Sequence, residues 1–99
     1  MTARLVMGEA GHYRLEGAVN FGAPPTRDLL SPGIVPVAGS ATIDLDGLEQ
    51  ADSVALALLL DWQRQARAQG FRLVLNGVSD RLAALIRVTG LGSLFAPGS

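Results

Sequence analysis

The sequence predicts an α/β domain: a mixed four-stranded sheet with helices packed on it, in the order β-β-α-β-α-β-α. Three observations carry this prediction. Tyr13, Leu15, Val19 and Phe21 follow a mostly alternating pattern, which marks a half-buried strand. Ala41 to Leu45 reads as a short buried strand closed by the Asp46-Gly47 turn. Ser53 to Gln69 is rich in Ala, Leu, Arg and Gln, all good helix formers.

Taken in order, Arg4 to Met7 forms a first strand, and Gly8 to Gly11 supplies turn chemistry. Gly11 to Phe21 is the second strand, and the two pair antiparallel. Residues 22–40 hold Pro24, Pro25, Pro32 and Pro36 among several glycines. Within them Thr26 caps a short helix through Leu30, with Asp28 near its N-terminus and Pro32-Gly33 as its stop. After the 41–45 strand comes the long helix, with Ser53 as N-cap, Arg67 in the last turn and Gly70 just past the end. Phe71 to Leu75 is the next strand. Ser79-Asp80 opens the last helix, with Arg87 in its final turn and Gly90 as its stop. Strand, helix, strand with short links implies right-handed parallel crossovers beside the antiparallel first pair.

The 99 residues suffice for one domain. Eight Arg against nine Asp and Glu give a net charge of −1, with no electrostatic drive toward nucleic acid. There is no Cys, so disulfides and thiolate metal sites are excluded. The N-terminus is too short and polar for a signal peptide, and the longest apolar run, Val54 to Leu60, is far below the roughly 20 residues that span a bilayer. A cytoplasmic location is expected, with any membrane role exerted through another protein.

On the long helix a 100° step places Ala55, Leu58, Leu59, Trp62 and Ala66 on one face. Ser53, Ala57, Leu60, Arg64 and Arg67 fall opposite, and Leu56 lies on the flank. The first two turns are therefore apolar nearly all round. Either a neighbouring loop, such as the Pro-rich segment, covers this surface or it is a small docking patch.

Ile43-Asp44-Leu45-Asp46-Gly47-Leu48, then Ala51-Asp52-Ser53, Leu56-Ala57-Leu58-Leu59-Leu60 and Arg67-Ala68-Gln69-Gly70, resembles the signature of STAS domains. Phe71 to Val78 resembles the family's next strand and turn, and Arg81 to Leu91 its last helix. The resemblance runs over residues 4–95 and is strongest over 43–91. It implies a STAS-like, anti-sigma-factor-antagonist-like fold spanning residues 1–99 as a single domain. It also implies a protein that binds a partner and catalyses nothing. The family's key hydroxyl maps onto Ser53, and the implied contact surface comprises Asp52, Ser53, Leu56, Ala57 and Leu60. Arg64 could reach acidic groups of the same partner, although a solvated helix face is its default role.

The wording from Leu56 to Gly70 is most similar to the branch whose members are cytoplasmic subunits of Mla-type phospholipid-transport ABC systems. There the implied partner is the ABC ATPase subunit. In the other branch, the anti-sigma-factor antagonists, the equivalent Ser is phosphorylated and the partner is an anti-sigma kinase. That branch usually carries an acidic residue at the end of the second strand, where this chain has Asn20. The transporter branch is therefore the expectation, with Ser53 phosphorylation as the alternative and a homodimer as a further form of association. Val54 and Ala55 depart from the small residue and Gly that the family usually writes after its Asp-Ser. No cofactor is implied.

Other constellations are weaker. His12 is a lone His on a strand or turn. Ser53 and Asp52 lack the Gly-x-Ser-x-Gly elbow of a hydrolase. Asp44, Asp46, Glu49 and Asp52 read as turn chemistry before a Mg²⁺ site. Gly90-Leu-Gly-Ser93 lacks the Lys-Ser/Thr pair of a phosphate loop.

Overall fold

The computed structural model describes residues 3–90 and the backbone of 96–97. The elements are β1 (Arg4–Met7), β2 (His12–Ala18), α1 (Arg27–Leu30), β3 (Ser40–Asp44), β4 (Leu48–Glu49), α2 (Ser53–Ala68), β5 (Arg72–Asn76), α3 (Asp80–Thr89) and β6 (Ala96–Pro97). All four expected strands and all three helices are present. Leu91 and Ser93, named in the sequence reading, lie outside the described residues.

The sheet is mixed, with order β1-β2-β3-β5-β6 and β4 paired to β2. Among the described strands β1 and β2 run antiparallel, and β2–β3, β2–β4, β3–β5 and β5–β6 are parallel. The two strands not foreseen, β4 and β6, have two residues each. Such fragments are too short to leave a periodic trace in sequence. After β3 ends, the chain turns through Leu45 to Gly47 and β4 takes over beside the far half of β2, with Gly17 N–H bonded to the Gly47 carbonyl (3.0 Å).

One face of the sheet carries the core. Tyr13 and Leu15 of β2, Ala41 and Ile43 of β3, and Leu73 and Leu75 of β5 are buried, while their alternating neighbours are half-buried or exposed. Against that face packs α2, through Ala55, Leu58, Leu59, Trp62 and Ala66, the five residues placed on its inner stripe. The buried arc is wider than the stripe, for Leu56 and Gln63 are buried too. Gln63 accepts from Leu73 N–H (3.0 Å), so this flank of the helix is turned toward β5. Leu56 precedes Gln63 by two turns on the same flank and is 4% exposed, a core residue and not the contact residue expected.

The helix caps are specific. Gly70 takes φ +85° directly after the C-cap Gln69 of α2, a left-handed conformation that favours Gly. Ser79 caps α3 through the Leu82 N–H, and Gly90 closes it with φ +73°. At the start of α2 the expected cap is displaced by one residue. Asp52, not Ser53, is the N-cap, accepting from Val54 N–H at 2.8 Å.

The Pro-rich segment is held from two sides. The buried Trp62 Nε1–H donates to the Leu29 carbonyl (2.6 Å), and Gln65 Nε2–H to the Leu30 carbonyl (2.8 Å). Two side chains of α2 thus satisfy C-terminal carbonyls of the four-residue α1, which lacks a side-chain N-cap bond from Thr26. Val35 N–H donates to the Tyr13 hydroxyl (2.9 Å), fixing the following loop to the sheet. Pro32, Gly33 and Ile34 lie by Trp62, Gln65 and Ala66, beside the C-terminal half of α2. In the first two turns of α2, Ser53 and Ala57 are exposed, Val54 and Leu60 are half-buried and Leu56 is buried.

Candidate partner-docking surface

The exposed stripe of α2 consists of Ser53, Ala57, Arg64, Arg67 and Ala68, with the half-buried Leu60 among them. The helix rises 1.5 Å per residue, so Ser53 and Arg64 are about 16 Å apart along it. The stripe has a small, apolar N-terminal half and a cationic C-terminal half. Neither Arg64 nor Arg67 forms an ion pair among the described residues. Of the six residues expected at a docking face, Ser53, Ala57 and Arg64 are exposed, Asp52 and Leu60 are half-buried, and Leu56 is in the core.

Because Asp52 takes the capping role, Ser53 is the first residue of α2 and is exposed. Its hydroxyl has no hydrogen-bond partner among the described residues. The Asp52 carboxylate holds two elements at once. Oδ1 accepts from Val54 N–H, and Oδ2 accepts from Phe21 N–H at 3.1 Å. A second tether lies beside it: Asn20 Nδ2–H donates to the Gln50 carbonyl (3.0 Å), while Asn20 Oδ1 accepts from Gly22 N–H (2.8 Å). Gln50 has φ +50°, an uncommon conformation for a residue other than Gly, and its carbonyl is where Asn20 attaches. The residue read as a branch marker in the sequence thus braces the loop before α2.

These bonds place Phe21 next to the start of α2. Alternation had put Phe21 on the second strand. The strand ends at Ala18, Val19 is fully buried, and residues 20–23 form a tight turn closed by reciprocal Asn20–Ala23 backbone bonds. Phe21 is 80% exposed, the aromatic member of the surface by Ser53, and sequence reasoning missed it. Its signal, an aromatic residue next to a Gly-Ala-Pro-Pro turn, is indistinct without the contact to Asp52 thirty-one residues away. An exposed aromatic side chain on a braced loop is well suited to fill a partner's pocket.

Two predictions follow from this geometry. Asp52→Ala removes both the cap and the Phe21 tether and is expected to cost about 0.5–2 kcal/mol of stability, read by urea unfolding. Asp52→Asn keeps one of the two acceptor oxygens and turns an NH₂ toward the other N–H, so it is expected to recover only part of the loss. Phe21→Ala is expected to leave the melting temperature nearly unchanged and to weaken partner binding roughly 30-fold, the effect of losing an aromatic anchor of about 2 kcal/mol.

The remaining candidates settle into structural or surface roles. Asp44 Oδ1 accepts from Asp46 N–H (2.9 Å), the side-chain turn expected of this acidic run. His12 is exposed on the outer face of the sheet.

Comparison with known proteins agrees with the fold. The family model described as "Mlab, STAS domain" matches residues 7–96. A solved structure of the anti-sigma factor antagonist SpoIIAA in its unphosphorylated form is similar with a TM-score of 0.61 and 17% identity, over 98% of this chain and 88% of that one. A comparison with curated protein sequences finds no match. The element order, the mixed sheet and the match across nearly the whole chain lead to one assignment: this chain belongs to the STAS family, in its MlaB-like form.

Proposed function

We propose that the protein is a non-catalytic accessory subunit that docks on the cytoplasmic ATPase of an Mla-type phospholipid-transport ABC complex and supports its assembly or activity. One observation carries the reading. Ser53 stands exposed at the start of α2, free of capping duty, one turn before the exposed Ala57 and next to Asp52, whose carboxylate holds the N–H of the exposed Phe21. A hydroxyl needed only for capping would be engaged by the helix. Here Asp52 does that work, which leaves Ser53 available to a partner. The MlaB-like family match supports the transporter branch, as does Asn20 in place of an acidic residue. The contact set is Phe21, Ser53, Ala57 and the exposed part of Leu60, with Arg64 reaching acidic groups at the margin. Asp52 positions this set from behind. The protein would then be peripheral to the inner membrane through its partner; no helix among the described residues is long and apolar enough to cross a membrane.

The test is co-expression with the ABC ATPase of the same organism and co-purification with the tag on either protein. A stoichiometric complex is the expected result; failure in both directions would remove the proposal.

A second reading rests on the same exposed hydroxyl. A phosphate on Ser53 would lie at the N-terminus of α2, where the helix dipole accommodates it without unfolding. The protein would then be a phosphorylation-controlled antagonist of an anti-sigma kinase. Incubation with candidate kinases and ATP, followed by intact mass, decides this: a gain of one phosphate, absent in Ser53→Ala, supports it, and no gain counts against it.

A further inference from the structure

Among the described residues no strand pairs with the outer edge of β1. In the antiparallel β1–β2 ladder Gly8 N–H bonds to the His12 carbonyl (2.9 Å). With the register Arg4↔Glu16, Leu5↔Leu15, Val6↔Arg14 and Met7↔Tyr13, this makes the even residues of β1 the ones that exchange bonds with β2. Leu5 and Met7 therefore direct their N–H and C=O groups to the opposite side, where β1 is the last strand of the sheet.

Proteins usually guard such an edge with Lys, Pro, a bulge or an inward-pointing charge. None of these is present on β1. Its register with β2 is unbroken, and its one charge, Arg4, is drawn onto β2 by Glu16 (3.3 Å). The flanks of the edge are apolar. Met7 is 67% exposed and Val35 63%; both line a groove of about 420 Å³ between β1 and the α1 segment. On the outer face Val6 is 37% exposed.

We propose that β1 is a self-association edge whose occupant is β1 of a second copy of this chain. The side-chain sequence is self-complementary in one antiparallel register, centred on Val6. There Leu5 stands opposite Met7 of the other copy and the reverse, so the four outward N–H and C=O pairs close four hydrogen bonds. Val6 faces its own copy across the two-fold axis. Arg4 faces Gly8, so no like charges oppose. Apolar residues meet apolar ones at every central position, which an unrelated peptide would have to match by chance. The axis is perpendicular to the sheet and makes one continuous sheet with both helix layers on one side. The association is argued from the backbone groups of β1 and not from α2, so it does not rest on the docking proposal.

Sedimentation equilibrium from about 1 μM to about 1 mM is the direct test, because a dimer grows with protein concentration. The wild type is expected to pass from monomer to dimer. Met7→Pro removes only an N–H that points away from β2, a position where Pro is tolerated on an edge. It is expected to keep its circular-dichroism melt while raising the dimer dissociation constant at least tenfold, about 1.4 kcal/mol. Should it fail to fold, Val6→Glu and Val6→Lys give an independent reading. Each alone places like charges across the axis and stays monomeric; mixed, the two form a heterodimer. A wild type that is monomeric throughout, a dimer indifferent to Met7→Pro, or charge variants that do not complement each other would overturn the proposal.

Discussion

Trp62→Ala is expected to lower the melting temperature by about 15–30 °C, the largest stability loss of any single substitution considered for this chain. Trp62 is 1% exposed and is the largest fully buried side chain. Truncation removes its packing at a cost of about 3–5 kcal/mol, against a total stability of about 5–15 kcal/mol for a domain of this size. It also withdraws the donor that satisfies the Leu29 carbonyl. That carbonyl ends a helix of four residues, which cannot persist on its own hydrogen bonds. The loss should therefore spread to the Pro-rich segment, and proteolysis between residues 24 and 36 should accelerate along with the drop in melting temperature. Trp62→Phe separates the two contributions. It keeps most of the apolar volume and loses the N–H, so a smaller destabilisation with the same proteolytic sensitivity is expected. Protection of the loop in both variants would mean that Tyr13 and Val35 hold it without α2.

Ser53→Glu is expected to weaken binding to the ATPase by about 100-fold or more, or about 2.7 kcal/mol. The substitution places a carboxylate at the first position of α2, where a negative charge favours the helix dipole. The fold should be unaffected or slightly stabilised, because Asp52 and not Ser53 forms the cap. The charge would stand one turn before Ala57 and next to the residue that holds the Phe21 N–H; Ala57 and Phe21 are both exposed and uncharged. Burying it against an apolar partner surface without a counter-charge is what makes the loss large. Isothermal titration of the purified pair, with circular-dichroism melts of both variants, distinguishes an interface effect from misfolding.

The helix α2 illustrates what could be read from the residues. A 3.6-residue period assigns Ala55, Leu58, Leu59, Trp62 and Ala66 to the core, because that period is set by the helix itself. The same argument placed Ser53, Ala57 and Arg64 outside, and they are exposed. It left Leu56 on the flank, and the contact role came from the resemblance; that flank is buried, and there Gln63 accepts from Leu73 of β5, an element later in the chain. The cap moved from Ser53 to Asp52 for a comparable reason. Both residue types cap helices well, and local preference does not choose between neighbours. What selects Asp52 is that its second oxygen also holds Phe21 N–H, a bond across thirty-one residues. Phe21 itself was drawn into the second strand by alternation, which continues on paper past the point where Asn20 turns the chain. The candidate surface was thus visible on the helix and invisible on the loop that completes it. The free edge of β1 was equally hidden, since which residues turn their backbone groups outward depends on the register with β2.

The central claim is that the start of α2 is a docking surface for a transporter ATPase. It is tested most directly by affinity capture from native lysate with the tagged wild type and Ser53→Glu, read by mass spectrometry. An ABC ATPase recovered in quantity with the wild type and absent with Ser53→Glu is the predicted result. Recovery of a kinase in its place, or of the same ATPase with both proteins, would contradict the account.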